Sequence, residues 1–268
     1  MQEDFKNFNL DYDTPVASAL QNELESVDTN IRAEFGMAPD QTAAGLFDVR
    51  TFRLAMLRPD SEFYAASVAK IAILLAYFQL RPAEAANLDS TTRHELGLMI
   101  KASSNELAAK FSKQLGLKQI QQALDSYRFY DATRGGGLWV GKHYGESGER
   151  VGSPAGDNSH AATVRQLLRF YLLLEKGRLV SPEACATMRG IFASPEIPHD
   201  NIKFAKALAG RDLTLLRKWG SWEDWLHDTA IVTGPGRHYI LVGLTQHPRG
   251  DDYLAALAGT VDDLMIRG

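Results

Sequence analysis

The stretch that most constrains this chain is Ile71–Phe78, "IAILLAYF", which carries almost no polar group. A helix that is apolar on every side lies inside a protein. The run is far too short to span a bilayer, so it reads as a core helix. Whatever stands at its start is drawn in with it. That is Ser67-Val-Ala-Lys70. Buried lysines need a reason. On a helix, positions i and i+3 share a face, so Lys70 Nζ can approach Ser67 Oγ. A desolvated lysine has a lowered pKa and can accept the proton of a serine nucleophile. Taken alone, the pair also reads as an N-cap and a solvated first-turn lysine.

The bulk numbers bound the rest. A chain of 268 residues makes one large domain or two interleaved subdomains. A net charge of −4 gives no reason to expect a nucleic-acid partner. The lone Cys185 cannot form an internal disulfide, and in "SPEACATMRGIF" it reads as a small core residue. The opening "MQEDFKNFNLDYDTP" has neither a basic n-region nor an apolar h-region, so it is not a signal peptide. A cytoplasmic protein and a chain whose leader has been removed both remain open. The seven histidines (His94, His143, His160, His199, His227, His238 and His247) show no ligand spacing. No serine sits in a nucleophile elbow. No metal or cofactor is implied, and no membrane span.

Along the chain, Thr14-Pro15 reads as the cap and first position of an amphipathic helix over residues 14–35, with Leu20, Leu24, Val27 and Ile31 at helical spacing. "TAAGLFDVR" and "FRLAMLRP" read as strands joined by a turn near Arg50-Thr51. Helical patterns follow at "STTRHELGLMIKA", "SSNELAAKFSKQL" and "LKQIQQALDSY", with Gly116 as a C-cap. A long glycine-rich stretch, 130–159, reads as a functional or disordered loop. Helices resume at "ATVRQLLRFYLLLEKGRL" and "SPEACATMRGIF". Strands follow at "LTLLRKWGS", "HDTAIVTGP" and "HYILVGLTQ", and "DDYLAALAGTVDDLMIR" reads as a final helix. Strands at both ends with helices between them predict an α/β (α+β) fold. It has an antiparallel sheet built from both chain ends, flanked by helices, with an inserted all-helical subdomain. We expect a single domain over 1–268, its sheet part near 14–66 and 178–268 and its helical part near 67–177.

Three short patterns occur in order: Ser67-Val-Ala-Lys70, Ser103-Ser104-Asn105 at a break between helices, and Lys218-Trp219-Gly220 at a strand end. Together they resemble the S-x-x-K, S-D-N and K-T-G set of the penicilloyl-serine transferase superfamily. The chain is most similar to the class A β-lactamase-like serine hydrolases. The likeness runs from about Thr42 to the C-terminus. It implies a β-lactamase/transpeptidase-like fold and places the protein outside the cytoplasm, in the periplasm or secreted. It implies Ser67 as the acylated nucleophile and Lys70 as its base. Ser103 would pass a proton to the leaving group, and Asn105 would orient Lys70 and the substrate amide. Lys218 would supply positive potential near Ser103 and a substrate carboxylate. Ser67 and Ser221 would give the oxyanion-hole N–H groups, and Gly220 would let substrate approach the strand edge. Read singly, Ser103 could cap a helix, Asn105 could be a first-turn polar residue and Lys218 a strand-end lysine.

The chain departs from the pattern in places. Ser104 replaces an aspartate that is mainly structural in the family. Trp219 replaces a small hydroxyl residue and cannot supply an acceptor. Trp222 and Trp225 follow, as an aromatic wall or as core packing. The segment between Ser67 and Ser103 is shorter than in class A β-lactamases, which implies a trimmed helical part and a more open cleft. The family's Ω-loop E-x-x-L-N glutamate has no counterpart. Glu149, with Glu146 behind it, falls near the expected place, among glycines that let the backbone wander; both also read as solvated loop carboxylates. The expectation is a serine hydrolase that acts through an acyl-enzyme on a small-molecule or peptide-like amide or ester and turns β-lactams over poorly. A slowly deacylating D,D-peptidase-like penicillin-binding enzyme is one alternative. A glutaminase-type amidase fits Lys218-Trp219-Gly220 less well. A non-catalytic binding module is the alternative of another class. The oligomeric state is not legible.

Overall fold

The computed structural model describes residues 2–145, 148 and 150–267. A short helix α1 (Gln2–Asn7) precedes α2 (Ser18–Phe35). The second helix starts later than Thr14-Pro15 suggested. The Ala17 N–H donates to Leu54 O (2.8 Å), so the chain before Ser18 runs extended beside a strand instead of opening the helix. The strands β1 (Thr42–Asp48) and β2 (Arg53–Leu57) follow as a hairpin.

The next segment holds β3 (Phe63–Tyr64), a 3₁₀ turn (Ala66–Ala69) and α3 (Lys70–Leu80). The helices α4 (Pro82–Ala86), α5 (Ser90–Ile100), α6 (Asn105–Leu115) and α7 (Leu117–Ser126) come after it. Short strands interrupt the helices of this insert: β4 (Tyr130–Asp131), β5 (Gly136–Gly137), β6 (Trp139–Val140) and β7 (His160–Ala162). The order β3-β7-β6 forms one small sheet, and β4 pairs with β5. Then come α8 (Val164–Glu175), α9 (Pro182–Ala193) and α10 (Lys203–Leu208). The chain closes with β8 (Thr214–Trp222), β9 (Trp225–Gly234), β10 (Arg237–Gln246) and α11 (Gly250–Arg267).

The main sheet has the order β2-β1-β10-β9-β8, every pair antiparallel. Pairing of β1 with β10 joins the two ends of the chain. Successive strand side chains point to opposite faces, so Leu46 and Phe47 enter different cores. Leu46 and Leu241 pack with Leu24, Leu254 and Val261 under α2 and α11. Phe47, Ile240 and Val242 join the cluster that contains α3, α8 and α9. Every residue from Ile71 to Phe78 is buried there. The sheet and the inserted helices thus share one apolar cluster, with α3 at its centre. No helix among the described residues is long and apolar enough to cross a membrane.

Candidate active site

Ser67 lies not at a helix N-cap but inside the 3₁₀ turn that leads into α3. The turn is unusual at Ala66, whose φ is +45°, a region a β-carbon disfavours. The buried Tyr144 holds it, its hydroxyl donating to Ala66 O at 2.8 Å. Strand β8 passes directly behind. A β-carbon at Gly220 would lie 2.9 Å from the backbone nitrogens of both Ser67 and Val68. Glycine is what admits this close approach.

Lys70 is wholly buried. Its Nζ lies 3.0 Å from Ser67 Oγ, 2.8 Å from Asn105 Oδ1 and 3.2 Å from Ser103 Oγ, and it also bonds the Ser103 carbonyl. Asn105 Oδ1 and the carbonyl can only accept. A neutral amine donates to these two and keeps its lone pair for the Ser67 hydroxyl. Burial draws the Lys70 pKa down to about 7, which makes the neutral form available at physiological pH. The Tyr144 ring lies under Nζ, 4.7 Å from centroid to nitrogen.

Lys218 is equally buried, and its Nζ donates to Ser103 Oγ (2.9 Å) and to Trp219 O (2.7 Å). Burial first, and then the charges of Lys70 and Arg217, push its pKa well below the ordinary lysine value. The three motif regions therefore join in one chain of polar atoms: Ser67 Oγ, Lys70 Nζ, Ser103 Oγ, Lys218 Nζ. Ser103 is placed by a left-handed backbone (φ +58°) between α5 and α6. It is Ser104, not Ser103, that caps α6, accepting from Leu107 N at 3.2 Å.

A cleft of about 440 Å³ opens over this chain, with Ser67, Asn105, Tyr144, His160, Ser221 and Trp222 among its walls. Trp222 is 57% exposed at the rim. Trp225 packs edge-on against Phe63, at 5.8 Å between centroids. Trp219 does not line the cleft; its ring is flanked by Lys218 Nζ at 5.1 Å and Lys203 Nζ at 5.0 Å. Glu149 and Glu146 lie outside the described residues.

Sequence reasoning passed over three residues here. Lys203, at the start of α10, is wholly buried and donates to Gly220 O (2.7 Å) and Ser221 Oγ (2.6 Å), with Asp251 at 3.6 Å. It therefore braces the strand end beside Ser67. Its signal was the one that marked Lys70, a lysine inside an apolar run, here "NIKFAKAL". Glu62 accepts from Tyr130 OH (2.9 Å), Asn158 Nδ2 (3.0 Å) and Ser153 Oγ, tying the glycine-rich loop to β3. β-Carbons at Gly136 and Gly156 would strike its carboxylate, so these glycines serve close packing, not a wandering backbone. His160 is the third; no local pattern marks it, because its neighbours come from Tyr64 and Tyr144, distant in sequence.

The family model described as "Beta-lactamase enzyme family" matches residues 85–264. The chain belongs to that family. The match begins after Ser67 and Lys70, so those two rest on the geometry above. Membership makes the protein a β-lactamase-like serine hydrolase in general terms. No curated protein matches the chain in sequence. Among solved structures, the chain is similar to a β-lactamase from Sphaerobacter thermophilus. They share 15% identity and a TM-score of 0.72, over 90% of this chain and 96% of the other. A mutant of PBP-A, as an acyl-enzyme complex with penicillin G, matches at 16% identity and TM-score 0.71, over 91% and 98%. A class A β-lactamase representative from Bacteroides cellulosilyticus matches at 14% and 0.70, over 91% and 98%. Such identities speak for the fold, a β-lactamase/transpeptidase-like α/β arrangement.

Proposed function

We propose that this β-lactamase-like serine hydrolase works through an acyl-enzyme on Ser67 and releases β-lactam acyl groups slowly. The observation that carries the reading is the contact of Lys70 Nζ with Ser67 Oγ at 3.0 Å, in a site where the lysine is buried and readily neutral. Lys70 takes the Ser67 proton as Oγ attacks an amide or ester carbonyl. Ser103, between Lys70 and Lys218, relays a proton to the leaving group. Asn105 fixes Lys70 and faces the cleft. Lys218, donating to Ser103 Oγ, holds that hydroxyl in place for the relay. Ser67 and Ser221 N–H groups stabilise the oxyanion, each such donor contributing about 3 kcal/mol. Trp219 leaves the substrate-binding strand without an acceptor hydroxyl at its position, and its ring lies away from the cleft, between Lys218 and Lys203, so it is not a substrate contact. Glu149 is the loop carboxylate proposed to assist deacylation. The substrate is a small-molecule or peptide-like amide or ester with a carboxylate near the scissile bond, and the family resemblance favours a location outside the cytoplasm. The similarity to PBP-A, whose mutant was captured with penicillin G on it, favours stable acylation as well.

Rapid mixing with penicillin G and intact-mass detection tests the turnover. The expected result is a stoichiometric adduct formed in a burst, followed by slow loss. Fast steady-state hydrolysis with no trapped adduct contradicts slow release. No adduct and no hydrolysis favours a binding module.

A further inference from the structure

The hairpin that joins β8 to β9 carries a tryptophan on each strand, Trp222 paired with Trp225 across the turn. Their settings differ. Trp225 is half-buried, and its ring meets Phe63 at 5.8 Å, Tyr64 at 6.3 Å and His227 at 6.4 Å. Trp222 is 57% exposed, the most exposed large apolar side chain among the described residues, and it stands in the wall of the cleft with Tyr64, Ser67 and Ser221. Trp225 is packing; Trp222 is wall.

The strand sets which way Trp222 points. Pairing of β8 with β9 runs from Thr214↔Thr233 to Trp222↔Trp225 without a bulge, so alternate side chains of β8 keep one face. Lys218, Gly220 and Trp222 share a face. Lys218 Nζ lies 2.9 Å from Ser103 Oγ, and a β-carbon at Gly220 would lie 2.9 Å from Ser67 N. Trp222 comes next on that face, roughly 7 Å further along the strand. Ser221, on the other face, turns its hydroxyl to Lys203 at 2.6 Å.

These three positions give the cleft a direction. The proton relay to the leaving group runs through Ser103, at the Lys218 end. The carbonyl under attack lies at Ser67, beside Gly220. The acyl portion of the substrate therefore extends the other way, toward Trp222.

We propose that Trp222 determines specificity at an acyl-side subsite, and that this subsite takes a planar apolar group, such as an aryl ring, close to the scissile carbonyl. The inference rests on the acyl-enzyme reading above. The indole presents a flat apolar face to water, and a ligand ring that covers it removes both surfaces from solvent. Aromatic rings pair by offset stacking or edge to face, which adds orientation to the burial. A tryptophan has only two side-chain torsions to fix, so little conformational freedom is lost when a ligand settles on it.

Penicillin G and 6-acetamidopenicillanate test this, because they differ only in a phenyl ring on the acyl side. Rapid-quench intact mass gives the second-order acylation rate constant for each. We expect wild type to favour penicillin G by about tenfold or more, the scale of one buried aromatic contact. In Trp222→Ala the ratio should fall to within about twofold of one. In Trp222→Phe, which keeps a ring, it should stay within about threefold of wild type. A wild-type ratio near one overturns the proposal. So does a Trp222→Ala ratio equal to that of wild type: if both rates fall together, Trp222 only supports the strand end, and if neither moves, it is a hairpin surface residue. In each of those cases the adducts still form and the acyl-enzyme reading stands. If wild type forms an adduct with neither compound, that reading has failed, and this inference falls with it.

Discussion

Lys70 meets four oxygens in a buried site, and its proton count sets the chemistry. Its folded pKa of about 7 lies below the ordinary lysine value of 10.5, so between those values the unfolded chain binds more protons than the native one. Stability at this site therefore rises with pH across that window, and the burden on the native state is greatest below pH 7, where Lys70 is charged while buried. The same titration predicts acylation that rises with pH to a plateau, with a midpoint near 7, read by stopped-flow with a chromogenic β-lactam. Lys70→Ala should lower the plateau ~100-fold or more and remove the rising limb; a flat profile in wild type contradicts the assignment. Lys203 acts one step away, through Gly220 O and Ser221 Oγ. Lys203→Met should slow acylation by about tenfold, and adding Ser221→Ala should cost much less than its effect alone. Side chains that work through one contact are non-additive, so fully multiplicative losses would show that Lys203 acts elsewhere.

At the scale of elements, β8 and the loop over 130–159 set the shape of the cleft. Gly220 permits the strand to press on the Ser67 turn. Gly220→Ala should therefore slow acylation more than tenfold, since an ångström of displacement at a reacting centre costs up to ~100-fold, with little loss of thermal stability; normal kinetics would mean that the turn has room to give. Glu62 holds the loop by three hydrogen bonds. Glu62→Ala should destabilise by about 1 kcal/mol, the cost of leaving the buried Ser153 and the half-buried Tyr130 and Asn158 without this acceptor, and speed hydrogen exchange over 130–159 ahead of the main sheet. Uniform exchange would deny the anchor. The same elements show what a sequence reveals. The strands β1, β2, β8, β9 and β10 were legible from runs of strand period, α5, α6, α7, α8, α9 and α11 from helical period, and α3 from its unbroken apolar run, because such patterns are local. The short strands β4 to β7 and the helix α10 were not: two to six residues give no period, and they exist because distant residues bond them. Arg217 and Asp228 show this, fixing the start of α10 through Asp200 O, Ile202 O and Phe204 N.

For the molecule as a whole, the site is assembled from three separate segments, Lys70 lying 33 residues before Ser103 and Ser103 lying 115 before Lys218. Ser67 and Lys70 come from the start of α3, Ser103 and Asn105 from the α5–α6 junction, and Lys218 from β8, the sheet's edge. The sequence motifs were legible one by one, yet their convergence depends on the shared cluster between the helices and the sheet. That cluster seats α3 and, with it, the buried lysine. If this convergence makes Ser67 the single nucleophile, labelling with a fluorescent penicillin followed by peptide mapping will give one labelled peptide containing Ser67 in the wild type and no label in Ser67→Ala. Label that persists in Ser67→Ala, or that maps to Ser103, would contradict it.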